Sequence, residues 1–474
     1  MKGNLEYRYK TEKPNILFIM ADQFRADALG SIGGYCLTPN LDLIASRGTT
    51  FLNAYANSAE CIPSRLSFAT GLYPHEVGVD RNISCTLNPS VPNWMKSVQS
   101  SGYRTALIGK SHLHPHSGDL RQRDSLMKSY GFQYVREEAG PRALQHATTD
   151  LTEIWRSRNL LEAYREDFRD RFAHDPQTVR PSTLPLDLYY DTYIGNQATK
   201  YIEMLPRDEP WLCCVSFSGP HEPWDAPEPY ASMYAPSSMP KARPRRQDTD
   251  SLAGLLRKAY DSSDYSPPDL TDHKIAAMRA NYAGNVSLID TLIGEILAEV
   301  ERRGETEHTL VIFTSDHGEM NGDEGLVYKA NSLDPAIKIP LIIAPPPYLN
   351  TKPNKSCSLV EMIDVGATIV DYASNRDGGI GHGKSLRSIV SDSVDYHRRC
   401  CLSEFGKHYC LITEALKLEF DERLNVTMAI DRKADPNEST DVRLLSGYQT
   451  EISVERQRLE KILRDTPPRG DVFY

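Results

Sequence analysis

Four short apolar segments stand out in the pattern of hydrophobic and polar positions along the chain. They are NILFIM from Asn15, TALIGKSH from Thr105, WLCCVSFSGPH from Trp211 and TLVIFTSDHGE from Thr309. Their length and their richness in β-branched residues predict buried strands. Helical patterns lie between them, the clearest over residues 275–304. This alternation predicts an α/β fold with a large, mostly parallel sheet sandwiched by helices.

Each predicted strand ends in polar residues of kinds that work in active sites. These residues are Asp22 and Gln23 after the first strand, Lys110 and His112 after the second, His221 after the third, and Asp316 and His317 after the fourth. Ligands of open α/β sheets bind beyond the carboxyl ends of the strands. We therefore expect the four endings to meet in one crevice.

The polar endings fall into two chemical groups. The first offers two carboxylates, an amide oxygen and an imidazole, which suits a divalent cation held mainly by oxygen; its members are Asp22, Gln23, Asp316 and His317. The second offers the cations and proton-transfer groups that an anionic ester needs, and it comprises Lys110, His112, His221 and Lys329. Together they predict a metal-assisted site for an anionic substrate.

Cys61 precedes a predicted helix. The segment SRLSFATG at 64–71 is typical of the first turns of a helix, so Cys61 is expected just before the helix N-terminus. Unpaired amides there favour negative charge, and Arg65 would point back toward the thiol. A thiolate nucleophile with a lowered pKa is one interpretation, and a thiol packed in the core is another. Nothing near Cys61 in the sequence resembles the Cys-His protease signatures.

Composition excludes several classes of protein. A chain of 474 residues with 40% hydrophobic content has material for a large core and two or three domains. The net charge of −10 argues against a nucleic-acid partner. Nine cysteines without C-x-x-C spacing argue against a zinc site or a disulfide framework. No segment has the length of a membrane span, and the N-terminal apolar run is too short for a signal peptide. We expect a cytoplasmic protein with reduced thiols and no membrane partner.

The segment C-I-P-S-R followed by L-S-F-A-T-G resembles the signature of the type I, formylglycine-dependent sulfatases of the alkaline phosphatase superfamily. Other segments are similar to family blocks in the same order, namely TPNLDLIASRGTTFLNAY at 38–55, GYRTALIGKSH at 102–112, SDHGEMNGDEGLVYKANSLDPAIKIPLII at 315–343 and AIDRKADPNESTDV at 429–442. The likeness spans nearly the whole chain. It implies an alkaline phosphatase-like catalytic domain over residues 1–385. It also implies a smaller C-terminal α+β subdomain over 386–474, carrying an antiparallel sheet, that closes the active site.

The resemblance implies a cofactor set. Cys61 would be converted to formylglycine by a formylglycine-generating enzyme, and the hydrated aldehyde would be the nucleophile. The divalent metal would be Ca²⁺, with Mn²⁺ or Mg²⁺ as alternatives, and its ligands would be Asp22, Gln23, the modified Cys61, Asp316 and His317. Gln23 stands where many sulfatases have a second aspartate, which lowers the charge of the ligand set.

The resemblance also implies roles for the remaining residues. Arg65 and Lys110 would hold the formylglycine hydrate and the sulfate, and Asn82 would contact the sulfate. His112 would be the general base, while His221 and Lys329 would neutralise or protonate the leaving oxygen. The implied reaction is hydrolysis of a small-molecule or saccharide sulfate monoester to an alcohol or phenol and inorganic sulfate.

Two alternatives belong to other classes. A phosphonate monoester or phosphodiester hydrolase shares the formylglycine cysteine and often Asp-Gln at the first strand. The GKSH segment at 109–112 favours a sulfate ester, because the resemblance places Lys-x-His there in sulfatases and uncharged residues in the sister group. A binding-only homologue with Cys61 left as a core thiol is more distant, since it needs neither metal ligands nor proton-transfer groups. The sequence leaves aryl, alkyl and sugar sulfates open, and a homo-oligomer as well.

Overall fold

The structure is a computed structural model, and it describes residues 13–246, 253–374, 379–392 and 396–474. Residues 1–12 lie outside the described residues, and the apolar run considered above as a signal peptide lies in the first strand.

Strands and helices alternate through the first three quarters of the chain. The strands are β1 Asn15–Asp22, β2 Thr49–Tyr55, β3 Arg104–Gly109, β4 Gly118–Asp119, β5 Tyr134–Glu137, β6 Ala147–Thr148, β7 Trp211–Pro220, β8 Thr309–Ser315, β9 Leu341–Ala344, β10 Asn354–Glu361, β11 Cys401–Phe405, β12 His408–Ile412, β13 Leu416–Phe420 and β14 Val426–Asp431. The helices are α1 Pro39–Ala45, α2 Cys61–Thr70, α3 Pro74–Val77, α4 Trp94–Ser100, α5 Asp124–Ser129, α6 Asp150–Ser157, α7 Leu161–His174, α8 Tyr190–Met204, α9 Gly254–Asp261, α10 Asp272–Arg302, α11 Asp334–Ile337, α12 Met362–Ser374, α13 Arg387–Asp392 and α14 Gln449–Asp465.

The main sheet has the strand order β10-β2-β9-β8-β1-β7-β3-β5. Only β9 runs antiparallel to its neighbours within this sheet; the other pairs are parallel. The four strands predicted from sequence are β1, β3, β7 and β8, and they are neighbours in the order β8-β1-β7-β3. Their carboxyl ends therefore lie side by side. The predicted fold class, a mostly parallel sheet with helices, is confirmed.

Strand β1 shows why these segments are apolar without interruption. All eight of its residues are buried, because successive side chains point to opposite faces and helices cover both faces. Leu17, Ile19 and Ala21 belong to one core, which includes residues of α8 and α10. Ile16, Phe18 and Met20 belong to the other core, which includes residues of α2, α4 and α12.

The longest helix, α10, covers one face of the sheet. It was predicted at 275–304 and spans Asp272–Arg302. The Thr271 side chain accepts a hydrogen bond from the Lys274 amide and caps the first turn. The helix starts earlier than its apolar pattern because this cap and the polar first turn precede the first core-facing residue, Ile275.

A separate antiparallel sheet in the order β11-β12-β13-β14 lies near the C-terminus, as predicted. One face of it packs with Ile452 and Leu459 of α14. The other face packs on Met320 and Ile337 of the larger unit. The boundary at 385/386 stays a prediction. Among the described residues, no helix combines the length and the apolar character that a membrane span needs.

Candidate active site

Helix α2 brings Cys61 to the carboxyl edge of the main sheet. Cys61 is the first residue of the helix rather than a residue preceding it. The helix starts there because Pro63 fits a first turn, whose amides have no partner within the helix. Phe68, two turns further, stacks on Phe18 and packs on Trp94, with ring centroids 5.1 Å apart in each pair. Such pairs contribute about 1 kcal/mol each beyond burial, so the position of Cys61 is well defined.

In Asp22 and in Asp316, one carboxylate oxygen contacts cations and the other faces His317. The Oδ2 atoms face cations: the Arg65 guanidinium donates to Asp316 at 2.7 Å and to Asp22 at 3.2 Å, and Lys110 also donates to Asp22. The Oδ1 atoms of Asp22 and Asp316 lie 3.9 and 3.8 Å from Nε2 of His317. One oxygen of each buried carboxylate therefore points into a common space.

Both carboxyl groups are ionised in this environment. Burial by itself would raise the pKa of Asp22, but Lys110, His221 and Arg65 hold it well below its ordinary value. Burial would raise the pKa of Asp316 too, and the surrounding cations hold it below its ordinary value. The site thus presents two negative charges without contact to bulk water.

His317 turns a ring nitrogen toward the same space. Its Nδ1 lies 3.0 Å from the carbonyl oxygen of Gly318. A carbonyl only accepts hydrogen bonds, so Nδ1 carries the proton and Nε2 keeps its lone pair. Burial lowers the pKa of His317, which favours this neutral form. The Nε2 atom lies 3.0 Å from Sγ of Cys61, and Asp22 Oδ1 lies 3.7 Å from that sulfur.

Gln23 is oriented by two carboxylates. Its amide nitrogen donates to Glu222 at 2.9 Å and to Glu319. The amide oxygen therefore faces away from these acids and accepts a hydrogen bond from Lys329, whose Nζ is 3.9 Å from the Cys61 sulfur. Burial, with the Glu222 charge beside it, raises the pKa of Glu319 to about 7. Glu222 and Glu319 thus set which end of the Gln23 amide faces the Cys61 side.

These residues fit a divalent cation. The ligand atoms of Asp22, Cys61, Asp316 and His317 all lie within 4.8 Å of one another, and Oδ1 of Asp316 is held in place by the backbone amides of Gln23 and His317 at 3.1 and 3.0 Å. Two carboxylate oxygens, an imidazole nitrogen and the nearby amide oxygen of Gln23 form a donor set that hard divalent cations accept. Conversion of Cys61 to formylglycine would replace its sulfur with oxygen and make the set more suitable still.

Lys110 reaches this centre from the end of β3. Gly109 has φ of +106°, and a Cβ there would collide with the carbonyl of Ser216 on β7. Only glycine therefore lets the chain turn this closely against the neighbouring strand. The turn leaves the Lys110 amide 3.0 Å from that carbonyl, and the buried ammonium group reaches Asp22.

His112 lies beyond Lys110 in a left-handed backbone conformation, with φ of +57°. Its backbone nitrogen lies 3.2 Å from Nε2 of His116, the atom that donates to Glu137, and its own Nδ1 has no hydrogen-bond partner among the described residues. Desolvation, with positive charge on Lys110 and His116, holds the pKa of His112 well below its ordinary value. The imidazole is therefore neutral at neutral pH, and its Nδ1 is not occupied by another described group.

Glu137, the last residue of β5, supports the Lys110–His112 segment. Ser111 donates to it, and Nε2 atoms of His114 and His116 lie 2.8 and 3.1 Å from its oxygens. Burial would raise the pKa of Glu137, but these two histidines lower it to about 2.

His221, Lys329 and Asn82 line one open cavity next to the metal-ligand cluster. His221 follows β7, and its Nδ1 lies 2.8 Å from the carbonyl oxygen of Glu222. The Asn82 side-chain oxygen accepts from the Ile62 amide at 2.9 Å. Interactions with Cys61 and Glu222 keep the pKa of Lys329 above its ordinary value despite burial, so its ammonium stays charged.

The structure thus brings all of the residues singled out from sequence to one region. The expected contact of Arg65 with the hydrate and the sulfate stays a prediction. The Arg65 guanidinium donates to Asp22, Asp316, the Lys110 carbonyl and Ser216, so it holds protein groups in place.

Sequence reasoning missed the carboxylates that support the site. Glu222 and Glu319 lie one and two residues beyond His221 and His317, which is a signal that was present but unused. Glu137 and Ser216 gave no comparable signal, since their contacts come from neighbouring strands.

Comparison with known protein families matches residues 14–375 to the family described as Sulfatase. The chain belongs to the sulfatase family. Membership implies a divalent metal and a formylglycine residue, and the cluster around Asp22 is a candidate site for that metal.

Individual relatives of this sulfatase are distant. An arylsulfatase of Clostridium perfringens (strain 13 / Type A) is 25% identical, over 95% of this chain and 94% of the relative. A choline-sulfatase of Rhizobium meliloti (strain 1021) is 27% identical, over 77% of this chain and 68% of the relative. The crystal structure of a phosphonate monoester hydrolase of Agrobacterium radiobacter has a TM-score of 0.76 at 24% identity, covering 96% of each chain. At this identity the last likeness shows the shared fold alone.

Proposed function

We propose that this sulfatase hydrolyses a sulfate monoester to an alcohol or phenol and inorganic sulfate, at the centre formed by Cys61 and the ends of β1, β3, β7 and β8. The observation that carries the proposal is the convergence on Cys61. Asp22 and His317 lie within 3.7 Å of its sulfur, and Lys110 and Lys329 bring fixed positive charge to the same place.

A divalent cation and a formylglycine at residue 61 would complete this centre. A divalent cation, Ca²⁺ by family resemblance and Mn²⁺ or Mg²⁺ as alternatives, would be held by Asp22, Gln23, residue 61, Asp316 and His317, and would stabilise negative charge on the sulfuryl oxygens. Formylglycine at residue 61, made by a formylglycine-generating enzyme as maturation partner, would supply in its hydrated form the attacking hydroxyl and a second hydroxyl whose deprotonation releases sulfate.

The chain's own residues then divide the remaining work. Lys110 faces the sulfuryl group from the end of β3, and Asn82 contacts it from the cavity wall. Arg65 fixes both carboxylates through its four contacts. His112, neutral and with a free ring nitrogen, is the general base. His221 and Lys329 line the cavity into which the alcohol part extends, and they neutralise or protonate its leaving oxygen.

The alternative is a phosphonate monoester or phosphodiester hydrolase. The formylglycine cysteine and the Asp-Gln pair at Asp22 and Gln23, which the resemblance places in both groups, keep it as the second candidate. Lys110 and His112 of the GKSH segment support the sulfate reading, because the resemblance places Lys-x-His there in sulfatases and uncharged residues in the sister group. A panel of sulfate, phosphonate and phosphodiester substrates with the same phenol separates the two. If a phosphonate or a phosphodiester is hydrolysed faster than every sulfate, the alternative function replaces the sulfatase reaction as the preferred one.

The C-terminal part, residues 386–474, would act as a subdomain that closes the site. Buried Lys417 of β13 pairs with Asp334 and Glu438, and the Glu404 amide of β11 donates to the Asn57 carbonyl at 2.8 Å. These contacts tie the small sheet to segments that flank the centre.

All nine cysteines are free thiols, which fits a cytoplasmic location. Size-exclusion chromatography with light scattering measures whether the chain forms a homo-oligomer.

Modification of Cys61 provides the direct test of the proposal. Specific activity should rise in proportion to the fraction of formylglycine found by mass spectrometry of the peptide around residue 61. Cys61→Ser should support at best one turnover, because serine has no second hydroxyl on the same carbon. Multiple turnover at full rate from a preparation containing only the intact thiol contradicts the proposal.

A further inference from the structure

The cavity beside the catalytic centre is large enough to hold most of a small alcohol. Its volume is about 630 Å³, and His221 and Lys329 form its inner end. Because the sulfuryl group belongs at the Cys61 side of Lys329, the alcohol part of the ester occupies the outer portion. The residues of that outer portion therefore decide which alcohols are accepted.

The cations of the cavity wall are already engaged. The Arg142 guanidinium donates to one Glu222 oxygen at 2.6 and 2.8 Å. It also lies over the rings of Phe172 and Tyr328, 4.5 and 5.5 Å from their centroids. His174, at the rim, is 80% exposed and lies 3.8 Å from a carboxylate oxygen of Asp170. Arg142 is therefore not positioned to receive a second negative group on a substrate, and His174 lies at the exposed rim.

Acidic side chains dominate the outer wall instead. Asp175, Asp264 and Asp269 line it, whereas Glu60 lines the cavity closer to Lys329. Asp175 and Asp269 share a single ammonium group, that of Lys274. Asp264 is exposed and makes no ion pair within the described part of the chain. Tyr265 adds a half-buried aromatic surface between these acids and the inner end.

From this arrangement we infer that the pocket selects sulfate monoesters whose alcohol part carries no negative charge, and that it favours a positively charged alcohol part. Carboxylates and an aromatic side chain are the groups that bind ammonium ions in proteins. A polysulfated or carboxylated alcohol would meet like charge and no free cation. This inference rests on the proposed function, since it concerns the alcohol part of the same ester.

The test uses three phenyl sulfates that differ only at the para position. The substituents are neopentyl, which is uncharged, its isosteric trimethylammoniomethyl counterpart, which is positive, and carboxymethyl, which is negative. Because a charge one methylene from the ring still changes the acidity of the phenol, each kcat/KM is divided by the rate constant for uncatalysed hydrolysis of the same ester. We expect kcat/KM to follow the order positive, neutral, negative, and the differences to shrink when salt is raised from about 0.02 to about 0.5 M.

Variants of Asp264 assign the effect to the cavity. Each unit of charge changed at about 7 Å in a solvated setting alters kcat/KM by about threefold. Asp264→Asn should therefore lower the rate for the positive ester about threefold and raise that for the negative ester to a similar extent. Asp264→Lys changes the charge by two units, so both changes in kcat/KM should be about ninefold. Asp261→Asn is the matched control, because Asp261 is an exposed acid paired with Arg257 outside the cavity.

Two outcomes overturn the inference: a negative ester hydrolysed as fast as the neutral one, or Asp264 variants that change all three rates equally. The same three phenols as methylphosphonate esters keep this result separate from the proposed function. If only the phosphonates are hydrolysed, the proposed function is wrong. The relative kcat/KM of the positive, neutral and negative phosphonates then still shows whether the pocket excludes negative alcohol parts.

Discussion

Two adjacent glutamates beside the active site should respond to pH in opposite directions. Glu138, which follows β5, is buried; its Oε1 accepts from the Leu151 amide at 3.4 Å, and its Oε2 has no partner among the described residues. Burial raises the pKa of Glu138 to about 8. Glu137 beside it accepts hydrogen bonds from two histidines, which lower its pKa to about 2.

The consequence for stability follows from the direction of each change. A carboxyl group whose pKa is raised on folding contributes fully below its unfolded value, 4.5, and loses that contribution as pH rises through about 8. At about 1.4 kcal/mol per pH unit, ionisation of Glu138 costs the folded state about 3 kcal/mol at pH 7 and about 5 kcal/mol above pH 8. Glu137 contributes about 3 kcal/mol above pH 4.5, and this is lost as pH falls toward 2.

The substitution Glu138→Gln isolates this effect. Glutamine keeps the shape of the protonated side chain but does not ionise, although its amide nitrogen lacks a partner at the Oε2 position, which costs about 1–3 kcal/mol at every pH. The free energy of unfolding of the parent, relative to the variant, should therefore fall by about 3 kcal/mol between pH 5 and pH 8.

Urea unfolding at pH 5, 6, 7 and 8 measures this difference. Glu137→Gln serves as the comparison: it removes a carboxylate that is ionised throughout this range, and it also removes the partner that raises the pKa of His114, so its difference from the parent should shrink only as pH rises through the pKa of that histidine. A parent–variant difference for Glu138→Gln that stays flat from pH 5 to pH 8 refutes the reasoning.

Two further predictions concern the catalytic centre. Asp316→Ala should remove the metal and the activity together, since it deletes one carboxylate oxygen from the ligand set and frees Arg65; elemental analysis showing full metal content with normal turnover would contradict this. Lys110→Ala should lower kcat/KM for a sulfate ester by ~10²-fold, about 3 kcal/mol, while circular dichroism stays native, because one fixed positive charge at the sulfuryl group is lost. If Lys110→Ala hydrolyses the sulfate ester as fast as the parent, Lys110 only neutralises the charge of Asp22.

The sequence by itself determined the central strands and the chemistry at their ends. Parallel strands covered on both faces must be apolar at every position, so NILFIM and TLVIFTS are recognisable without any partner. The polar residues that follow, such as Asp22 and Asp316, are conspicuous because they interrupt such runs. The family resemblance was also recognisable from sequence, because the five residues of C-I-P-S-R are contiguous.

Only the tertiary structure decided how those residues act together. Asp22 and Asp316 are 294 positions apart in the sequence, and the order β8-β1-β7-β3 makes them neighbours. The orientation of the Gln23 amide depends on Glu222 and Glu319, and the charge of the outer cavity depends on loops from distant parts of the chain. Local patterns report the periodicity of burial, whereas the direction of a side chain is set by contacts across the fold. For that reason the strand ends were predictable from sequence, and the shared metal-facing oxygens and the acidic pocket were not.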